Sequence, residues 1–526
     1  GLLNLLSSWG TSTNGTGTAP ANFTANNMTF NIRNNTTPTI GAAWDVTESG
    51  SVIIVGDGTA ACNFTIPSGS AVNGTVDVSN NATLTLQNST LPVLGALASG
   101  STVVFDGAGS QTIPAENYHH LTSSSSGSRA LDAGGTIAIA GTFTKGTNSY
   151  SITGGTVDYN GTGAQDVVGL SYNNLTVSGI GTSTLQASVT IGGDLLLSGG
   201  TFDLGAFTAD RGTSGGSFTI AAGCTLRIGG NGTTLPANYA ATSFAPTAVI
   251  EYYGTNQTVP GGTYENLNIA GAGISITLSA NVSVVGDLTV TGGTLDLGTF
   301  TANRTTAGGT LNIGSGGTLK IGGTNSIPVN YTTYTFDAAS TVEYSGTKQT
   351  VAAYDYGNLT VSASDTVTLP NGGTVGIAGT FTPGAGMFVR TGSIVEYNSA
   401  GAQTVAAFAY HDLVLTGGGT KTFGSGTTKV SGALSLVGAA ADAVTNTTVI
   451  EYDGTADQTI ASMTYYDLTF TNAGTKSVLG AVTVDRNVVA NSGTVTIIDA
   501  AGALTIHGDL DNSGIFTNNG TLDLIP

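Results

Sequence analysis

The sequence predicts an all-β fold, a single elongated parallel β-helix (β-solenoid) wound at about 18–19 residues per coil. Three observations predict it: a strict internal repeat, apolar residues that alternate in short runs between glycine-marked corners, and a composition hostile to helix.

The repeat is Gln, six residues, Tyr, two residues, Leu. It occurs six times without insertion or deletion, as Gln111, Tyr118 and Leu121; Gln165, Tyr172 and Leu175; Gln257, Tyr264 and Leu267; Gln349, Tyr356 and Leu359; Gln403, Tyr410 and Leu413; and Gln458, Tyr465 and Leu468. Five or six residues before each Gln stands an aromatic residue, Phe105, Tyr159, Tyr252, Tyr344, Tyr397 or Tyr452, in five cases directly after an acid. Each unit therefore opens on a short strand of the Val-Glu-Tyr type. The intervals between successive glutamines come in two sizes, in the order short, long, long, short, short. If every unit holds whole coils, three coils of roughly 18 residues fill a short unit and five fill a long one. The two additional coils are visible as paired text, GTFDLGAFTADRGTSGGSFTIAAGCTLRIGG at 200–230 against GTLDLGTFTANRTTAGGTLNIGSGGTLKIGG at 293–323. Roughly 28 such coils at the interstrand spacing make a rod on the order of 130 Å long.

Within a unit the apolar residues come in alternating pairs, Val282 and Val284, Leu288 and Val290, Leu295 and Leu297, separated by Gly-Asp or Gly-Gly. Period two means strand, and a corner every six or seven residues makes about three strands per coil. Abundant Thr, Val, Gly and Asn leave no amphipathic helical period. A many-stranded sandwich is the competing fold, but its loops rarely keep one register through six copies. In chain order the expected parts are an N-terminal segment over 1–45 that serves as a cap or as an inter-subunit contact, first coils over 46–100, the six-unit solenoid over 101–470, and uncapped coils over 471–526. The six units lie near 101–154, 155–246, 247–339, 340–392, 393–447 and 448–470.

With 32 acidic against 13 basic residues the formal charge is −19, which excludes phosphate-neutralising contact with nucleic acid. No window of 18 apolar residues is present, and the opening GLLNLL is too short to span a bilayer, so no membrane span is expected. Gly1 reads as the processed N-terminus of a secreted chain. Cys62 and Cys224 are too few for a disulfide scaffold. About nine coils, or roughly 40 Å, would separate them along the axis, which excludes a bridge. Cys224 reads as a small buried hydrophobe.

The segments GDLTVTGGTLDLG (286–298), GGTLNIGSGGTLKIGG (308–323) and GDLDNSGIFTNNGTLDL (508–524) resemble the β-solenoid stalks of bacterial secreted and surface proteins, among them haemagglutinin-like and autotransporter-passenger repeats. The resemblance covers roughly residues 45–526. It implies a right-handed parallel β-helix exported to the cell surface or beyond, serving as an adhesin, stalk or matrix element.

The candidate residues are structural ones. Each repeated Gln is expected to tie the backbone of a corner within its own unit, since equivalent glutamines lie too far apart for a ladder. Each repeated Tyr is expected to plug a corner, with an exposed row that stacks on sugars as the alternative. The residues before each Leu, His120, Asn174, Asn266, Asn358, Asp412 and Asp467, read as left-handed turn residues.

Catalysis is not expected. Only four histidines exist, His119, His120, His411 and His507, and no Asp-Asp pair of the kind used by pectin-cleaving β-helices occurs. Asp509, Asp511 and Ser513 begin like a calcium loop, but Gly520 stands where the closing Glu is needed. No cofactor is expected, beyond weak peripheral Ca²⁺ on the acidic surface. Asn22, Asn63, Asn81 and Asn88 begin glycosylation triplets that the composition alone produces.

At the ends, Leu2, Leu3, Leu5, Leu6 and Trp9 form an apolar cluster, and alternation continues to Leu524 and Ile525. Contact between these two sets would join copies head to tail, and such heterologous contact builds a fibre. The expected function is thus an extracellular structural protein, a subunit of a surface filament or matrix fibre with itself as partner. The alternatives are an adhesin stalk that binds polysaccharide or a cell surface, and a polysaccharide-acting enzyme.

Overall fold

The computed structural model describes residues 1–33 and 38–525. It is 46% strand and 1% helix, arranged as a parallel β-solenoid of about 25 turns. The Cα positions cluster into two compact units, Gly1–Gly254 and Thr255–Pro526. Among the described residues no helix is long and apolar enough to cross a membrane.

In the first unit the chain runs round three faces, and strands of successive laps land parallel on one another. One face stacks Cys62–Ile66, Ala82–Leu86, Thr102–Phe105, His120–Ser123 and Phe143–Thr144. Another stacks Asn117–Tyr118, Thr136–Ile139, Thr156–Tyr159, Asn174–Val177, Leu195–Leu197 and Gly215–Ile220. Alternation decides what is inside: in Ala82–Leu86 the first, third and fifth side chains are buried while Thr83 and Thr85 face out. Because the register is residue on residue, Leu84 lies over Phe64 and under Val103, and apolar columns run through the stack. No coil closes such a core alone.

The coil is not of constant length. A short lap carries Thr341 to its partner Asn358, whereas a much longer one carries Thr201 to Thr225. The short laps include those that carry each repeated Gln to its partner, as from Gln165 to Ser183 or Gln403 to Lys421. Wider coils elsewhere reduce the expected 28 turns to about 25.

Nor do the units hold whole coils. From Thr341–Tyr344 to the strand before Ile394–Tyr397 there are eight strands, and eight again before Val449–Tyr452. Eight strands on three faces fall one strand short of three turns. In the second unit the three Val-Glu-Tyr strands accordingly belong to three different ladders, and the repeat steps round the solenoid by one face per short unit.

Part of the N-terminal apolar cluster packs on its own chain. Leu3 is buried, and the Trp9 ring lies 5.1 Å from Phe30 and 5.3 Å from Trp44, with Nε1 donating to the Leu3 carbonyl at 2.7 Å. Phe23 joins the same aromatic group. Leu3 and Trp9 thus cover the first coil of their own chain, because an uncovered aromatic coil face is the nearest apolar surface they meet. Leu6 is half-buried, and only Leu2 and Leu5 of the cluster are exposed.

Both cysteines are buried and unpaired, and burial pushes both thiols above their usual pKa. We expect neither to react with an aromatic disulfide reagent in the native protein and both to react at once after denaturation. Rapid native labelling would contradict the inward assignment.

Candidate functional site

The repeated residues converge at one kind of place, the corner where a Val-Glu-Tyr strand turns into the Gln strand. All six glutamines are buried, none more than 7% exposed. In the first unit the Gln165 Oε1 accepts the Gly161 N–H, while Nε2 donates to the Ile139 and Gly141 carbonyls, each at 2.7 Å. The same three-bond pattern joins Gln111 to Gly107, Leu86 and Asn88; Gln349 to Gly346, Ile321 and Asn325; Gln403 to Ser399, Ile377 and Gly379; and Gln458 to Gly454, Val430 and Gly432. The acceptor carbonyls all belong to the preceding coil. Each Gln therefore ties its own corner to the unit below, rather than acting within one unit as expected. Gln257 is buried in the same register.

The tyrosines act in pairs. Tyr159 and Tyr172 bring their hydroxyls to 2.9 Å, Tyr344 and Tyr356 to 3.2 Å, Tyr397 and Tyr410 to 2.7 Å, and Tyr452 and Tyr465 to 3.0 Å. In each pair the first hydroxyl accepts the N–H of the third residue past the Gln, and the second donates to the carbonyl of that same residue: Val168, Ala352, Ala406 or Ala461. Two phenols thus satisfy both polar groups of one half-buried or buried peptide position, with every proton assigned. The first repeat departs from this consistently. Phe105 has no hydroxyl, Pro114 has no N–H, and Tyr118 still donates to the Pro114 carbonyl at 3.0 Å. Pro260 stands at the corresponding place for Tyr264, which donates to its carbonyl at 2.8 Å. The rings are inside, so these tyrosines form no exposed row.

Three further residues at this corner escaped sequence reasoning. Arg129 lies directly over Gln111, Lys421 over Gln403 and Lys476 over Gln458, each one coil further on and each fully buried. Arg129 donates to the Phe105, Gly107 and Ser124 carbonyls, Lys421 Nζ to Ser399 and Gly401, and Lys476 Nζ to Gly454. Gln binds the corner from within and the cation seals its carbonyls from above. Burial pulls all three pKa values below their usual range, opposed at Lys476 by Asp453 and Asp457. A basic residue one coil after a repeated Gln, in a chain so poor in Lys and Arg, was the available signal.

The residues before each Leu also differ from their reading. They open the strands His120–Ser123, Asn174–Val177, Asn266–Ile269, Asn358–Val361, Asp412–Leu415 and Asp467–Phe470 in extended conformation. Their side chains accept an N–H from the coil above: Asp194 on Asn174, Asp287 on Asn266, Thr380 on Asn358, Ala433 on Asp412, Asn487 on Asp467 and Thr142 on His120. A strand start with an outward side chain places that oxygen or nitrogen one rung below a corner N–H.

The outer face carries ordinary partners. The acids of the opening strands accept hydroxyl bonds from the next coil, as Asp158 from Ser178 and Glu396 from Thr416, and Arg227 bridges Asp203 at 2.9 Å and Glu251 at 2.7 Å. His411 stands 3.3 Å from Asp412, and Asp509, Asp511 and Ser513 are outside the core. No family model, curated protein or solved structure matches this chain.

Replacing Gln403 by Leu strands the Ser399 N–H and the Gly379 carbonyl, while the Ile377 carbonyl keeps the Asn398 N–H, at about 1–3 kcal/mol for each group left unpaired. We expect Gln403→Leu to lose at least about 2 kcal/mol in urea unfolding, and the exposed Gln186→Leu less than about 0.5 kcal/mol. Equal losses would refute the tie.

Burial pushes Tyr397 and Tyr452 up to about 12, with hydrogen bonds from the partner phenol and the backbone partly opposing it. A raised folded value means that this stability is complete below pH 10, where the unfolded phenol begins to ionise, and is lost as pH rises through 12. Alkaline titration followed by ultraviolet difference absorbance should show the paired tyrosines ionising together with loss of circular dichroism.

Proposed function

We propose that this chain is an extracellular structural protein, akin to the β-solenoid stalks of bacterial secreted and surface proteins, that stacks with copies of itself into a surface filament or matrix fibre. The observation that carries the reading is how the chemistry-bearing side chains are used. The repeated glutamines, the tyrosine pairs and the three buried cations are turned inward onto backbone groups, so the repeat serves cohesion between coils. A second observation supports self-association. Leu510–Asn512, Ile515–Asn518 and Thr521–Leu524 pair on one side only, and Ile515, Leu524 and Ile525 are exposed beside them. An edge of this kind accepts another coil, whether from the same chain or from a second copy. With Leu3 and Trp9 engaged in their own chain, the complementary apolar contact falls to Leu2 and Leu5. The glycan-binding alternative draws no support from the repeated tyrosines, which are inside.

Light scattering over a concentration series, with negative-stain images of the same samples, tests this. We expect end-to-end growth that Ile515→Lys with Leu524→Lys abolishes without changing the circular dichroism. A protein that stays monomeric at every concentration would end the reading.

A further inference from the structure

The ladders are interrupted in a regular way. At each repeat in the second unit whose Tyr pair was described above, one face carries on while two begin again. Thr341–Tyr344 passes its ladder to Asn358–Val361, whereas Gln349–Thr350 and Asp355–Tyr356 each start a new one. Ile394–Tyr397 continues to Asp412–Leu415, whereas Gln403–Val405 and Ala409–Tyr410 start afresh. Val449–Tyr452 continues to Asp467–Phe470, whereas Gln458–Thr459 and Thr464–Tyr465 start afresh. The first unit does the same at Thr156–Tyr159, which continues to Asn174–Val177 while Gln165–Val167 opens a new ladder. The lap that bridges each interruption is shorter than the next lap on the same ladder. Thr341 to Asn358 is followed by Leu359 to Phe381, Ile394 to Asp412 by Leu413 to Leu434, and Val449 to Asp467 by Leu468 to Val488. A small loop set on larger ones can keep register on only one side.

At these seams one four-residue ladder, the three bonds of the Gln and the phenol pair, joined at the Gln403 seam by Arg390 donating to the Tyr410 carbonyl at 2.6 Å, hold what three ladders hold elsewhere. We infer that the seams are built-in parting planes, so that a chain under tension gives way block by block and reseals at the same planes. The blocks are the stretches between successive glutamines, and they come in the two sizes set by the short and long intervals. Inside a block, parting two coils means breaking three ladders at once, or, in the long blocks beyond Ala209–Arg211 and Ala302–Arg304, two ladders of five and four residue pairs, so an interior plane is the stronger one. The Gln and the tyrosines set the load a seam bears, since they recur at one seam after another.

The test is to pull the full chain from its two ends in an optical trap. Stretched chain reaches about 3.3–3.6 Å per residue, so blocks should release in two sizes, roughly 190 Å and roughly 320 Å. Gln403→Leu should move a subset of the shorter events to lower force and leave the longer ones in place. Tyr410→Phe, which keeps the ring and removes one hydroxyl, should do so more weakly and serves if the first variant does not fold. Release in coil-sized steps of roughly 70 Å at that same extension per residue would overturn the inference. So would a single event freeing the whole chain, or shorter events indifferent to both substitutions.

Discussion

Everything in this fold depends on satisfying backbone groups where the hydrogen-bond ladder stops. A parallel stack meets that need automatically along its faces, since each strand answers the one below. Corners and interrupted ladders do not have that provision, and an unpaired peptide group in the interior costs about as much as several buried methyl groups return. The chain meets the deficit with a small kit: one carboxamide that both donates and accepts, two phenols in series, and in three places a cation over the carbonyls. Gln suits the first role because an amide offers both functions without charge. Tyr suits the second because its ring fills apolar space while its hydroxyl relays a proton direction.

The first repeat shows how tightly the parts depend on one another. Phe105 lacks the hydroxyl that would accept an N–H, and Pro114 lacks that N–H. Losing the phenol alone would leave that N–H without its acceptor, whereas with the proline also in place the corner is still closed, with Tyr118 on the remaining carbonyl. The buried cations follow similar logic. Among the described residues no carboxylate forms an ion pair with Arg129, Lys421 or Lys476, yet each meets carbonyl dipoles that the turn would otherwise leave facing one another.

Much of the fold was legible in the sequence, for identifiable reasons. Period-two alternation and a repeat without insertions specify stacked strands, because residues that must lie over one another cannot tolerate slippage, whereas the spacing marked Gln and Tyr as corner residues and left an exposed tyrosine row open. The number of turns was less accessible. Dividing a short unit into a whole number of coils assumes that it closes on the face where it began, whereas eight strands on three faces do not. The Leu3 and Trp9 contact stayed open between a cap and a contact with another copy because sequence shows that a cluster is apolar but not which surface lies nearest. The cation over the corner was overlooked because its partner lies a full coil away and is backbone, which carries no signature of its own.

The face-shifting unit has a consequence for how such a chain changes length over generations. Each block opens and closes on a Gln and Tyr corner, so recombination between its coding copies can add or drop one and still leave such a corner at the junction. What changes is the azimuth of everything beyond, by a third of a revolution for a short block. Lineages of such a gene would differ by whole blocks, and their surface decorations would be rotated about the axis while the interior stayed the same.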